Sequence, residues 1–477
     1  MSRRLRTAAA AAALLALTGC TSFTSALGSP SPAASTTAPT PDQGAACPAE
    51  RAEPDPHRPV IGYEFRLADD RKSVTGTETV TFTPDRPTDR LVFRLVPNGP
   101  GSAQAGNRLT VDDVQGDDVD GAGYVQAEAA DPGGLYEVRL DDELAAGTST
   151  EVALDFTLTL GEGTFDRFGT DDGLSWWGSG APLLAWEPGV GWDEDPFVPL
   201  LGETASSTVA DTTITVSVPD GLTVLMTGEQ QPPSAAEDGR RTWTSTEPVA
   251  RDVSVVVGNF ATEERTTPDG VRVTVGVLPG GDLELQQLAD WTVQAIADLE
   301  ARFGAFPYRT LTVPLLPDYG GGIEYPSSIQ LAAPSRDVLV HEVAHMWFYG
   351  MVGDSQFRDP WLDEAFATYA ESVGSPTRDD AVQRELRLPG DVGGSMADFP
   401  DDAEYFDTVY GKGGAALLAA RDAAGAEVFD AAMHCYVDAD AWRIATPADV
   451  AAAFSGLPDA LAVLLQAGAI TKEDLGR

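Results

Sequence analysis

The chain has 477 residues, of which 74 are acidic and 31 are basic, so its formal net charge is −43 at pH 7. This charge excludes nucleic acid and anionic membrane surfaces as electrostatic partners, because like charges repel. Hydrophobic residues make up 43% of the chain, as in a globular protein with a sizeable core.

The N terminus has the composition of an export signal. Three arginines in the first six residues precede an apolar run over 8–17, which is too short to span a bilayer and leads into Leu17-Thr18-Gly19-Cys20. A signal peptide over 1–19 is therefore predicted. The last four residues resemble a bacterial lipobox, which implies a lipidated Cys20 and a lipoprotein anchored in the cell membrane, facing the extracytoplasmic side. The alternative is an ordinary cleaved signal peptide with an incidental Cys20.

Residues 20–57 are predicted to be the lipidated cysteine and a disordered tether. They are rich in Ser, Thr, Pro, Ala and Gly and have almost no large apolar groups, so they cannot bury enough surface to fold. Once Cys20 carries lipid, Cys47 and Cys435 remain as an even pair in an oxidising compartment. They either form a disulfide or stay as two unpaired thiols.

From 58 to 262 the pattern is that of an antiparallel β domain. Short runs of alternating polarity recur between Gly, Pro and Asp turns. The predicted strands are Ser73 to Phe82, Arg90 to Leu95, Gly134 to Leu140, Glu151 to Leu160, Thr212 to Val218, Thr242 to Thr246 and Val253 to Phe260.

From 263 to 477 helices are predicted to dominate, after a first helix from Asp282 to Phe303. A strand over 311–316 leads into a glycine loop at 320–322, and if that strand lies at a sheet edge, Glu324 is presented above the helix that follows. Later helices are predicted at Gly413 to Ala424, Ala426 to Tyr436 and Pro447 to Phe454.

The most informative pattern is His341-Glu342-Val343-Ala344-His345, with Glu364 farther along the chain. On a helix that Ser335 caps and that runs through Phe348, both imidazoles reach one Zn²⁺ from adjacent turns. A second helix, capped by Asp359 and running to Val373, carries Glu364. Glu342 beside the first histidine is placed to act as a general base.

Four motifs resemble those of the M1 family of zinc metallo-aminopeptidases, in that family's order. They are Gly321-Gly322-Ile323-Glu324-Tyr325, His341-Glu342-Val343-Ala344-His345, Trp361-Leu362-Asp363-Glu364-Ala365 and Tyr410-Gly411-Lys412-Gly413. The resemblance covers roughly residues 58 to 465. It implies an N-terminal antiparallel β saddle domain and a thermolysin-like α/β, mainly helical, zinc catalytic domain. Because the chain stops at Arg477, it also implies that the long C-terminal helical domain of many relatives is missing.

The resemblance also implies a role for each residue of these motifs. One Zn²⁺ per chain is held by His341, His345 and Glu364, Glu342 is the catalytic base, and Tyr410 stabilises the oxyanion. Glu324, with Gly321 and Gly322, binds the free amino terminus of a peptide substrate.

Other roles remain open. Glu371, seven residues after Glu364 on the same helix face, is either an outer partner of a zinc-bound histidine or a solvated helix charge. Tyr405 is a second phenol that could approach the site in place of Tyr410. The family commonly has Met and Asn where this chain has Ile323 and Tyr325, and Asn-Glu-Gly where it has Asp363-Glu364-Ala365.

The sequence therefore predicts a surface-anchored zinc aminopeptidase. Two rivals are a zinc endopeptidase, since the metal and Glu342 alone do not require a free amino terminus, and a catalytically weak peptide-binding lipoprotein.

Overall fold

The computed structural model describes residues 50–162, 166–202, 205–281, 283–373 and 379–476. The predicted signal peptide, Cys20 and Cys47 lie outside these residues. Among the helices of the described ranges, none is both long and apolar enough to cross a membrane.

In the described residues, the first half of the chain forms β-sheets, with a short α-helix and a 3₁₀ turn at Val96–Asn98. The strands are β1 Val60–Leu67, β2 Ser73–Phe82, β3 Thr88–Arg94, β4 Arg108–Gln115, β5 Val119–Val125, β6 Leu135–Leu144, β7 Thr150–Thr159, β8 Phe168–Asp171, β9 Leu174–Gly178, β10 Leu183–Leu184, β11 Trp186–Glu187, β12 Gly191–Trp192, β13 Ala210–Pro219, β14 Thr223–Met226, β15 Glu229–Gln230, β16 Arg240–Ala250 and β17 Ser254–Gly258; α1 is Pro100–Gln104.

These strands form a seven-stranded sheet in the order β15-β16-β13-β1-β2-β7-β4, two four-stranded sheets, β10-β3-β6-β5 and β14-β17-β9-β8, and a two-stranded sheet, β11-β12. Inward residues alternate with exposed ones, as in β7, where every second residue is buried. The pairing is antiparallel except between β1 and β13, which run parallel. The antiparallel character of the predicted domain is thus present, with one parallel pair.

The second half is mainly helical around a five-stranded sheet. Its elements are β18 Ala261–Thr266, β19 Arg272–Val277, α2 Leu285–Phe303, β20 Thr310–Leu315, β21 Gly322–Tyr325, β22 Ser328–Leu331, α3 Arg336–Ala344, α4 Trp361–Val373, α5 Asp379–Glu385, α6 Asp402–Tyr405, α7 Gly413–Ala424, α8 Ala426–Ala439, α9 Pro447–Ala453 and α10 Pro458–Ala467. A π-helical segment, Phe406–Lys412, joins α6 to α7. The fold class predicted from the sequence is confirmed.

The five-stranded sheet has the order β18-β19-β20-β22-β21. The predicted strand over 311–316 is β20, which lies in the middle of the sheet, whereas the edge is taken by β21. The first strand, β18, begins at Ala261, so the predicted domain boundary at 262/263 falls inside it. Both halves belong to one compact unit, Gly44–Arg477.

Helix α3 lies at the centre of the second half, packed against α2, α4, β21 and β22. Ser335 caps it by accepting a hydrogen bond from the Val338 amide, as predicted. The regular helix ends at Ala344, however, four residues before the predicted end. The Gly350 amide donates to the His345 carbonyl at 2.8 Å and the Val352 amide to the Trp347 carbonyl at 2.9 Å. These bonds reach back five residues, whereas the Met346 and Trp347 amides directly after the helix reach back three, so the regular four-residue pattern is lost.

Helix α8 carries Cys435, which is disulfide-bonded. The N-terminal stretch runs beside this helix, because the Ala52 amide donates to the Asp438 carbonyl at 2.9 Å and Arg51 Nε pairs with Asp438 Oδ1 at 3.1 Å. The pairing of Cys435 with Cys47, one of the two alternatives that the sequence left open, lies outside the described residues.

Candidate metal centre and active site

The three predicted metal ligands come together where α3 faces α4. Glu364 Oε2 lies 3.2 Å from His341 Nε2 and 3.5 Å from His345 Nε2. One ligand atom from each residue falls within a group whose members are all within 4.8 Å of one another. Two imidazole nitrogens and one carboxylate are the donor set that zinc takes at catalytic sites, with one position left for water or substrate. The residues therefore fit a zinc ion.

Each histidine also has a carboxylate at its other ring nitrogen. Asp363 Oδ1 lies 2.5 Å from His345 Nδ1, and Glu371 Oε2 lies 3.5 Å from His341 Nδ1. Such contacts fix the ring orientation and leave the opposite nitrogen free for a metal. Glu371 thus occupies the outer position that the sequence suggested for it.

Asp363 was missed as a partner of His345. The sequence marked it only as a difference from the family's Asn, and adjacent helical residues project about 100° apart, which gives no reason to assign both to one site. Its side chain is 2% exposed in the structure, and this burial identifies its role, because a buried carboxylate needs a partner.

Glu342 is buried beside this group. Its Oε2 has no hydrogen-bond partner among the described residues, and Gly322 on β21 makes room for its side chain. A Cβ at Gly322 would lie 2.7 Å from Glu342 Cδ, so only glycine fits without a shift. Gly322, which was predicted to bind substrate, therefore lies directly beside Glu342, the predicted base. Gly321 precedes Gly322 with φ of 134°, a conformation that favours glycine.

Glu324 lies on the edge strand β21 and is buried, with Oε1 lacking a partner among the described residues. Ligand atoms of Glu324, Glu342 and His345 also lie within 4.8 Å of one another. Two carboxylates thus face the same small volume beside the metal ligands. That volume is suited to a cation, because one carboxylate remains when the other serves as a base.

Tyr410 stands over the first histidine. Its ring is parallel to that of His341, with centroids 5.9 Å apart, and its hydroxyl bonds to Glu364. Tyr405 is fully buried, and its ring meets that of Tyr410 edge-on at 5.7 Å, with a hydrogen bond between the two side chains. The structure therefore places Tyr410 next to the ligands and Tyr405 behind it.

The electrostatics of two of the three ligands suit metal binding. For the third, His341, burial lowers the pKa of the imidazole, but hydrogen bonds to Glu364 and Glu371 outweigh burial and raise that pKa above its usual value. Burial lowers the pKa of the His345 imidazole to about 3, which keeps it neutral. Burial alone would raise the pKa of Glu364, but attraction to His345 and hydrogen bonds from His341 and Tyr410 outweigh it and lower that pKa. A neutral imidazole and an ionised carboxylate are the forms that coordinate a metal.

This fold and this donor set are those of a zinc metallopeptidase. Residues 325–463 match the peptidase family M1 domain. The resemblance to peptidase family M1 that was inferred from the motifs is thus confirmed.

Curated relatives include aminopeptidase N from Bos taurus, 26% identical over 352 residues that cover 68% of this chain and 35% of the bovine protein. Aminopeptidase M1-A from Oryza sativa subsp. japonica is 25% identical over 42% of this chain and 27% of its own length. The chain thus spans about a third or less of the length of these relatives.

Solved structures show the same fold. The M1 zinc metallopeptidase from Deinococcus radiodurans superimposes with a TM-score of 0.65 and 20% identity, covering 89% of this chain and 97% of that one. A mutant of an M1 zinc metallopeptidase from the same organism, bound to a Tyr-Ser-Ala substrate, gives the same TM-score with 21% identity, over 87% of this chain and 95% of its own.

Proposed function

We propose that the protein is a zinc-dependent aminopeptidase that hydrolyses the first peptide bond of peptides with a free amino terminus. The observation that carries this proposal is the position of Glu324, a buried carboxylate with an unpartnered oxygen next to Glu342 and His345. A neutral or apolar pocket would serve an endopeptidase as well, whereas a second carboxylate favours an ammonium group.

The geometry also favours the first bond. In a peptide, the amino nitrogen and the carbonyl carbon of one residue are separated by two bonds, about 2.5 Å, and the next Cα atom is about 3.8 Å farther along the chain. Because ligand atoms of Glu324, Glu342 and His345 lie within 4.8 Å of one another, an ammonium group bound by Glu324 leaves only the first carbonyl within reach of the base.

In the proposed reaction, His341, His345 and Glu364 hold the zinc, which would polarise the scissile carbonyl and make water a stronger nucleophile. Glu342 accepts the proton of the attacking water at Oε2 and passes it to the leaving amine. The Tyr410 hydroxyl donates a hydrogen bond to the oxyanion that develops at the carbonyl. Glu324 fixes the amino end of the substrate throughout.

The test of this proposal is Glu324→Gln. Loss of a charge-assisted hydrogen bond in a partly desolvated cleft is expected to lower kcat/KM for free-amine peptides by about ten- to a hundredfold. Zinc content is expected to stay the same, since Glu324 is outside the proposed ligand set. Rates for one peptide in its free and N-acetylated forms, measured on both proteins, give the coupling between Glu324 and the amine.

The acetylated peptide is the control, because it has no ammonium group to lose. Its slow hydrolysis is expected to change little in Glu324→Gln. If both peptides are affected equally, Glu324 does not recognise the amine, and the endopeptidase alternative is preferred. If neither peptide is hydrolysed by the zinc-loaded native protein, the peptide-binding alternative is preferred.

We further propose that the enzyme acts at the cell surface, held by lipid on Cys20. The support is the sequence Leu17-Thr18-Gly19-Cys20 after a short apolar run. Mass spectrometry of the native N-terminal peptide is expected to find a mature chain that begins with diacylglyceryl-modified Cys20. An unmodified Cys20, or cleavage at another position, would contradict the proposal. Cys20→Ser is the matched variant, and it is expected to leave the membrane fraction.

A further inference from the structure

Glu324 lies on the hairpin formed by β21 and β22, and residues of the N-terminal sheets contact this hairpin. Among the described residues, strand β21 pairs with β22 alone within its sheet and lies at the edge. The hairpin also makes hydrogen bonds to the N-terminal sheets. The Gly228 amide donates to Ser327 Oγ at 2.9 Å, and Gln330 Nε2 donates to Ser254 Oγ at 3.0 Å. The N-terminal and C-terminal halves of the chain are therefore joined by hydrogen bonds at this hairpin.

The side chain of Tyr325 packs tightly against the N-terminal sheets. This side chain is fully buried against Gly178, the last residue of β9. A Cβ at Gly178 would lie 2.0 Å from Tyr325 Cζ and 2.1 Å from its hydroxyl oxygen, so a larger residue there would displace the ring. Strand β9 thus ends in glycine where the ring of Tyr325 needs the space.

The hydroxyl of Tyr325 lies among polar groups of the N-terminal half. The side chains of Arg167 and Ser179 interact with it electrostatically, and its oxygen has no hydrogen-bond partner among the described residues. Ser179 donates a hydrogen bond to the buried carboxylate of Asp252. Arg167 also interacts electrostatically with Glu324. The ring is therefore confined mainly by its packing against Gly178.

Adjacent residues of a strand point to opposite faces, so Tyr325 is anchored on the side away from Glu324. Glu324 itself has an oxygen without a partner among the described residues, which means that its own hydrogen bonds restrain it only in part. The position of its carboxylate must then depend on the backbone of a short edge strand. Because Tyr325 is the next residue of the strand, fixing its side chain also fixes the backbone at Glu324.

We propose that Tyr325 is a positioning residue through which the N-terminal β-sheets set the location of the Glu324 carboxylate, and with it the register of the substrate's amino end. This inference rests on the proposed aminopeptidase function. It concerns the position of the amine site and leaves the preferred N-terminal side chain open.

Two variants test the anchor. Tyr325→Phe keeps the ring and removes the hydroxyl contacts, and we expect a decrease of about three- to tenfold in kcat/KM for a free-amine peptide. Gly178→Ala displaces the ring, and we expect a decrease of about ten- to a hundredfold, because small misplacements of a substrate carry large rate penalties. For both variants, the N-acetylated peptide is expected to react at nearly the native rate, with unchanged zinc content.

Gly169→Ala is the matched control. Gly169 lies on β8 in the same sheet, and a Cβ there would lie 2.3 Å from Trp176 Cζ2, so the methyl group also meets an aromatic ring. The three atoms nearest to that Cβ all belong to Trp176. The effects of Gly169→Ala, if any, are expected to fall equally on free and acetylated peptides and on thermal stability.

A readout independent of turnover is peptide binding to proteins that also carry Glu342→Gln, measured by calorimetry. Adding Tyr325→Phe is expected to weaken binding of the free-amine peptide about three- to tenfold and to leave the acetylated peptide unchanged. In a protein that carries Glu324→Gln, Tyr325→Phe is expected to have no further effect on amine discrimination, since it acts through that carboxylate.

The outcomes separate the two proposals. If Glu324→Gln lowers discrimination and Tyr325→Phe and Gly178→Ala do not, the positioning role is wrong and the aminopeptidase proposal stands. Equal losses for free and acetylated peptides in both variants would show a structural role only. If Glu324→Gln itself has no effect on discrimination, the proposed function fails and the positioning role fails with it.

Discussion

Glu342→Gln is expected to retain zinc and to lose about two to four orders of magnitude in kcat, the range typical of a lost general base. The amide has the same shape as the carboxylate but cannot accept the proton of the attacking water. Glu342 is outside the group of His341, His345 and Glu364, so zinc held by that group is expected to remain, although Glu342 belongs with Glu324 and His345 to a second group that could hold an ion. Because Gly322 leaves little space beside the side chain, the amide is expected to occupy the same position.

The comparison variant for this prediction is Glu371→Gln, which also neutralises a carboxylate close to the ligands. Glu371 lies 3.5 Å from His341 Nδ1, and its side chain is 35% exposed, so its loss is expected to affect zinc affinity more than kcat. Zinc content by elemental analysis and kcat on one peptide distinguish the two. A Glu342→Gln protein with near-native kcat would contradict the assignment of the base, and so would one that has lost its zinc.

His345→Ala is expected to abolish metal binding and activity together. The imidazole is 1% exposed and sits between Glu364 and Asp363, so no other side chain or solvent can replace it readily. With one nitrogen ligand removed, two donors remain, fewer than the three that a catalytic zinc site uses. Elemental analysis after gel filtration measures the effect directly. Stoichiometric zinc in the His345→Ala protein would show that the ligands are assigned incorrectly.

Asp363→Asn provides the graded comparison for that experiment. It leaves all three ligands in place and weakens only the contact that orients His345, so zinc affinity is expected to fall about ten- to a hundredfold. Zinc affinity is therefore expected to be highest in the native protein, lower in Asp363→Asn and lowest in His345→Ala. Equal losses in the two variants would mean that Asp363 is itself a ligand.

The regular elements of this fold could be predicted closely where one local signal determined them. Strand β2 and helix α7 have the predicted bounds, Ser73–Phe82 and Gly413–Ala424. The first is bounded by turn residues and the second by glycines at either end, and such signals depend only on neighbouring residues.

The parts that could not be predicted depend on contacts between distant segments. Helix α3 ends at Ala344, where the Met346 and Trp347 amides bond back three residues before later amides bond back five, and hydrophobic periodicity does not report such a change. The sheet order, which makes β21 the edge strand in place of β20, depends on which strands meet after folding. The approach of Gly178 to Tyr325 joins residues almost 150 positions apart and has no local signal.

For the candidate site, the chemistry was predictable and the surroundings were not. The two histidines lie four residues apart on one helix, so their meeting was a matter of helix geometry. Glu364 was assigned by resemblance and lies beside them in the structure. The roles of Asp363 and Gly322 emerged only from atomic positions, because each acts by fitting against one particular neighbour.

The π-helical segment over 406–412 has a consequence for sequence length. Each residue of an α-helix turns the chain by about 100°, so a segment with one extra residue per turn changes the direction of all side chains before it. Deleting one exposed residue such as Asp407 would allow the segment to become α-helical and would rotate α6 and Phe406 relative to α7. Substitutions at Asp407 leave the spacing intact. The relative positions of Tyr405 and Tyr410 therefore depend on the number of residues between them. They depend less on which side chains occupy the exposed positions of that segment.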